Sequence, residues 1–217
     1  MTLMMEMIAL PNYADINGRP MKKLQIEQYL RKLQLNDFEP AVNLATLTKL
    51  QDAHLKYIPY ENFDCLNGKI TSLKRQDMFN KVIMHNRGGI CFELNGLYNW
   101  LLESLGFDVT SYSARFIDKM ETYQLRRHRV MCVALGDKRY LTDVGVNSES
   151  PRVPLEITEG LIQSDGISQY KFTRSEFWGW LLWQKERGKI WKRLFGFTEE
   201  PQIDKDFITA SFWCDAH

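Results

Sequence analysis

The sequence predicts an α+β protein with a helical first half and a sheet after it. Three observations carry that expectation. Apolar residues recur at helical spacing up to Gly106, the residues beyond alternate and are rich in β-formers, and the glycine-bearing turns "GDK" and "ERGK" separate short β-type runs. In order, "MKKLQIEQYLRKLQL" sets Leu24, Tyr29, Leu30 and Leu33 among charges and reads as an amphipathic helix. "ATLTKLQDAHLKYI" follows with the same period and stops at Pro59. "SLKRQDMFNKVIMHN" is a third helix, ended before Gly88 and Gly89. A fourth begins near Cys91, carries Leu94, Leu97, Tyr98, Leu101, Leu102 and Leu105 on one stripe, and meets a glycine cap at Gly106. After it, "FDVTSYSARFI" is a strand and "HRVMCVAL" with "RYLTDVGV" a hairpin. "FWGWLLWQKERGKIWKRLF" fits either a basic amphipathic helix or a second hairpin turning at "ERGK"; its aromatic residues and Gly188 favour the hairpin.

At 217 residues, 44% apolar and 25% charged, the chain can bury a sizeable core. A net charge of +1 provides no global field for nucleic acid or an anionic membrane. No run approaches the ~18 apolar residues of a spanning helix. "MTLMMEMIAL" lacks the basic start of a signal peptide, so a soluble, cytoplasmic protein is expected. The four cysteines, Cys65, Cys91, Cys132 and Cys214, have neither CxxC nor metal-ligand spacing, which points to reduced thiols and no metal.

"RGGICFELNG" places a thiol directly before a helical pattern. Extending the stripe of that helix back three residues reaches Cys91, so its thiol faces whatever the helix packs against. It is either a core residue after a turn or a nucleophile at a helix N-terminus, where free N–H groups favour a thiolate. A nucleophile needs an imidazole, and an imidazole needs a group to orient it. Of the four histidines, His217 ends the chain, His85 reads as a C-terminal cap, and His54 as a partly exposed helix residue. His128 opens a hairpin strand, and Asp143 lies near it across a turn at residue 136. The carboxylate there is expected to accept from the imidazole Nδ1–H. Cys91, His128 and Asp143 therefore form the candidate triad. Cys132 reads as inert core, and Cys65 and Cys214 as having no companion chemistry.

Several segments together resemble the arylamine N-acetyltransferases. "HLKYIPYENFDCLNGK" is similar to the family's IPFEN-type segment and "RGGICFELN" to the signature around its nucleophile. "HRVMCVALGDKRYLTDVGV" is similar to its histidine strand and Asp-Val-Gly turn, while "QYKFT", "WGWLLWQ" and "FTEEPQIDKDF" resemble the approach to its third domain. The resemblance implies an N-terminal helical bundle over residues 1–106, a β-barrel over 107–197, and the start of an incomplete α/β lid at 198–217, around a cysteine-protease-like core. It implies acetyl-CoA as co-substrate and ping-pong transfer through an acetyl-cysteine to an arylamine, arylhydrazine or N-hydroxyarylamine, an activity of xenobiotic metabolism. It also implies a structural brace between Arg87 and Glu61. Val146 stands where the family has an aromatic residue of the acceptor pocket, and Phe92 is a second candidate for that pocket. Asn147 replaces a glycine, and Asp64 adds a charge beside the brace. Arg126, Arg127 and Arg129 are either a phosphate site for CoA or surface charges.

The chain stops at "SFWCDAH", where family members continue. The expected consequence is that strands such as "FWGWLLWQ" and "IWKRLFGF" lose partners, expose aromatic surface, promote homo-oligomers and weaken transfer. An amide synthase or thiol hydrolase on the same triad, and a paralogue with little turnover, are the alternative readings.

Overall fold

The computed structural model describes residues 18–117, 124–146 and 149–216. The helical half contains α1 (Lys23–Lys32), α2 (Leu44–Tyr57), the short α3 (Phe63–Leu66) and α4 (Arg75–Phe79). α4 runs on into a π-helical turn, Asn80–Met84, within what the sequence reads as one helix. α5 (Cys91–Ser104) completes this half. On α1 the buried stripe is Tyr29, Leu30 and Leu33, with Ile26 packed beside it; Leu24 lies outside the stripe and is exposed. Every residue of α5 from Cys91 to Leu102 is buried, as expected of a helix with neighbours on all sides. Its C-terminus closes at Gly106, whose positive φ lets Phe107 N–H reach the Leu102 carbonyl.

Among the described residues eight antiparallel strands follow: β1 (Asp108–Phe116), β2 (His128–Leu135), β3 (Lys138–Thr142), β4 (Leu155–Glu156), β5 (Gln163–Ser164), β6 (Ser168–Ser175), β7 (Gly179–Glu186) and β8 (Lys192–Gln202). They form one sheet in the order β4-β3-β2-β1-β8-β7-β6-β5. A bridge from Glu159, just past β4, to Phe172 of β6 brings its ends together into a nearly closed barrel. The second hairpin reading holds, with β7 and β8 flanking the turn. The expectation that these strands lose partners does not hold. β7 pairs with β6 and β8, β8 pairs with β1 and β7, and Trp180, Leu182, Phe195 and Phe197 fill the barrel interior. β8 also runs unbroken through position 197, where the sequence places a domain boundary.

β2 joins the two halves. Its period-2 alternation sends Val130 and Cys132 into the barrel and Met131 and Val133 against the helices. Burial on both faces explains its continuous apolar run. Beyond β8, a 3₁₀ turn (Asp204–Phe207) and α6 (Ile208–Ala216) return to the helical half. Arg129, buried in β2, anchors that return: it pairs with Asp204 at 2.9 Å and lies over the Phe207 ring.

Candidate active site

Cys91 is the first residue of α5, so its thiol sits at the helix end where backbone N–H groups lack carbonyl partners. The turn before it is clamped. Gly89 bridges to Tyr60, Glu61 N–H donates to the Gly89 carbonyl, and a Cβ on Gly88 would lie 2.0 Å from the Pro59 carbonyl oxygen. Only glycine lets the "IPYEN" backbone approach this closely. Glu93, two residues into the helix, accepts from Ile90 N–H at 2.9 Å and from Lys81 Nζ at 2.8 Å, which neutralises a buried carboxylate next to the thiol. Burial nevertheless leaves the Glu93 carboxyl raised, against the pull of Lys81.

Arg87 and Glu61 meet as expected, through Nε at 2.9 Å and Nη2 at 2.8 Å. Asp64 joins them, 3.3 Å from Arg87 and 3.0 Å from Lys81. These cations, led by the Lys81 hydrogen bond, hold the Asp64 carboxyl down at about 2. The Arg87 side chain is 39% exposed and that of Glu61 only 9%, so the brace is open to solvent on its arginine side.

The hairpin ladder runs from Leu135 opposite Lys138 to Met131 opposite Thr142. His128 and Asp143 lie just past its far end, and both side chains have no solvent exposure. His128 Nε2 is 2.7 Å from Asp143 Oδ2. The ring is therefore turned the other way from the sequence expectation: Nε2, not Nδ1, meets the carboxylate. Among the described residues Nδ1 has no hydrogen-bond partner, and the other side chain whose charge acts on the ring is Cys91. Burial pulls the imidazolium down, but the charge and hydrogen bond of Asp143, followed by Cys91, outweigh it and raise His128 well above an ordinary histidine. Cys91 Sγ also approaches the Arg127 carbonyl oxygen at 3.7 Å. A thiol beside an imidazole held cationic by a carboxylate can give up its proton and become a nucleophile.

Gly145 fits this junction because it has no side chain. A Cβ there would lie 2.8 Å from Cys91 Cα and 2.8 Å from Asn95 Nδ2. The glycine of "DVG" is thus a steric requirement of seating the hairpin on α5.

The thiol opens into a cavity of about 520 Å³ lined by Tyr60, Phe116, Arg127, Gly145, Cys65 and Cys214, among others. The last two correct the sequence reading, which gave them no companion. Cys65 Sγ is 3.0 Å from Asp215 Oδ1, and burial raises both thiols, Cys65 to about 11. Cys132 is a core residue, with burial raising it to about 11. Phe92 and Val146 do not line this cavity. Phe92 packs on Phe207 with ring centroids 5.9 Å apart, and Val146 belongs to the barrel core. Asn147 lies outside the described residues. Arg126 pairs with Glu200, and Arg129 is occupied with Asp204, leaving Arg127 as the arginine of that trio at the cavity. His54, expected to be partly exposed, is completely buried against Tyr29 and Tyr98.

A family model described as N-acetyltransferase matches residues 43–217. The arylamine N-acetyltransferase of Mycolicibacterium smegmatis is 34% identical over 87% of this chain and 70% of its own length. That of Escherichia coli K12 is 30% identical over 80% of this chain, which spans 61% of the E. coli protein. Among solved structures, the arylamine N-acetyltransferase of Salmonella typhimurium superposes with a TM-score of 0.84 at 26% identity, over 90% of this chain and 70% of that one. The Mycobacterium marinum arylamine N-acetyltransferase in complex with CoA superposes with a TM-score of 0.81 at 26% identity, over 88% and 72%.

Proposed function

The chain belongs to the arylamine N-acetyltransferase family, and from that premise we propose that it carries acetyl groups from acetyl-CoA to an arylamine or arylhydrazine through Cys91. The observation that carries this reading is the buried His128–Asp143 pair at 2.7 Å, with Cys91 acting on the same ring from the first residue of α5 and opening onto a cavity. The cavity is large enough for an acetyl group and part of the arm that delivers it.

In this reading Cys91 enters the reaction as a thiolate paired with the His128 imidazolium. Its sulfur attacks the thioester carbonyl carbon, and the bond from that carbon to the CoA sulfur breaks. His128 gives its proton to the departing sulfur, so free CoA leaves as a thiol and Cys91 is acetylated. The amine then attacks the same carbonyl. The now neutral His128 takes the amine proton, Cys91 departs as thiolate, and the starting ion pair is restored. Asp143 keeps the ring aligned and stabilises it whenever it carries the extra proton. Exchange of one sulfur for another at the acyl carbon needs little driving force, so a thiolate and its placement are the main requirements.

Intact-mass measurement after incubation with acetyl-CoA tests this. One acetyl adduct is expected, absent in Cys91→Ala and discharged by an arylamine. No adduct on a chain whose Cys91 still titrates as a free thiol sinks the reading. An adduct that no arylamine discharges replaces the acceptor class.

A further inference from the structure

Resting on the Cys91–His128–Asp143 reading, we propose that Asn95 is a positioning residue that locks the carboxylate of Asp143 in the orientation that keeps His128 charged beside Cys91. Asn95 has no solvent exposure and lies four residues after Cys91 on α5, one turn along the same face. Its side chain makes three of the four hydrogen bonds it can form, and both Nδ2 protons are used. Nδ2 donates to the Arg129 carbonyl at 2.6 Å and to Asp143 Oδ1 at 2.8 Å, while Oδ1 accepts from Val144 N–H at 2.9 Å.

Two of those bonds go to backbone on either side of the hairpin end, one residue after His128 and one after Asp143. They would suffice for a merely structural clamp. The third goes to the carboxylate itself. With Gly145 N–H, also 2.8 Å from Oδ1, it occupies that oxygen and leaves Oδ2 for His128 Nε2. A hydrogen bond to a buried charge is shorter and stronger than a neutral one, so rotation of the carboxylate would break two such bonds together. One rigid helix therefore carries both the thiol and the group that aims the acid steering the imidazole. The spacing of thiol to imidazole is set by α5 and not by the hairpin alone.

The test is the rate of Cys91 alkylation by iodoacetamide against pH, measured on the full chain with thermal unfolding alongside. Asn95→Ala is expected to cut the rate at pH 7 by about tenfold, the scale of one lost hydrogen bond to a charged group, and to move the rise of the profile to higher pH. Asn95→Ser, which keeps a donor, recovers part of the loss. A lowered melting point with an unchanged profile means that Asn95 is only structural and overturns the proposal. Asp143→Asn separates the two readings. If it shifts the profile and Asn95→Ala does not, this inference falls and the triad stands; if neither shifts it, the triad reading falls. Should both Asn95 variants fail to fold, the side-chain amide signals of Asn95 in the wild-type protein decide by NMR. They move at the pH where alkylation rises if the coupling exists, and their indifference to that transition overturns it.

Discussion

His54 and His128 are both fully buried, yet their surroundings push them in opposite directions. His54 lies in the helical half between Tyr29, whose hydroxyl is 3.0 Å from Nδ1, and the edge of Tyr98; burial lowers it to about 3. His128 lies where the helical half meets the barrel, and Asp143 raises it despite the same burial. Desolvation by itself produces a neutral, inert ring. A single carboxylate at 2.7 Å, itself held in place, reverses the sign. Burial is shared by both regions and only one of them has a charge to work with.

Removing the two rings should separate them most sharply. His128→Ala is expected to slow Cys91 alkylation at pH 7 by at least about a hundredfold, the usual scale of an acid–base partner, whereas His54→Gln leaves it within a factor of two to three (~2–3) of wild type because that ring sits outside the cavity. Equal losses in both would end the contrast. Acid stability comes next. An unfolded imidazole titrates near ~6.5, so with a folded value of about 3 the stability tied to His54 is intact above that range and drains as pH falls towards 3. Urea unfolding should lose about 3 kcal/mol between pH 6.5 and pH 4 on this account, and His54→Gln should flatten the slope. His128 has the opposite sign: its raised value keeps its contribution at low pH and loses it as pH climbs through that value.

Two smaller tests address the junction itself. Gly145→Ala places a methyl 2.8 Å from the Cys91 backbone and should cost about 1–3 kcal/mol, as overpacking does, with slower alkylation as α5 and the hairpin part. An unaltered rate would show that the thiol tolerates a looser seat. The smallest effect is expected from Arg87→Gln. That side chain is partly exposed, so a slight fall in melting temperature should disappear in high salt. A large fall that salt does not alter would make the brace a core element.

Much of the site could be read in advance. Helical spacing placed Cys91 on the packed face of α5, and a two-residue turn at Gly136 placed His128 and Asp143 at the same end of one hairpin. The orientation of the ring could not be read, because either nitrogen satisfies the same spacing; the choice depends on which side of the imidazole α5 occupies. Cys214 is far from Cys91 in sequence and reaches its cavity because α6 folds back, with Asp215 bound to Thr71 and to Cys65, which lines the same cavity from α3. Val146 and Phe92 had the right chemistry for a pocket, but their side chains point into the barrel core and towards Phe207. His54 looked like a surface residue because helical polarity averages over a turn and hides one polar group among apolar neighbours.

What the amino-acid order determined by itself was local: which face of each helix is apolar, where glycine permits a close approach, and which residues share a hairpin end. Those follow from backbone periodicities of 3.6 and 2, which act within an element. What only the tertiary structure decided was how α5 seats against the end of β2 and β3, and with it which nitrogen meets the carboxylate, which amide bonds the acid, and which thiols enter the cavity. Those contacts join residues dozens of positions apart and depend on the shapes of two packed surfaces, a property that no single stretch of chain carries.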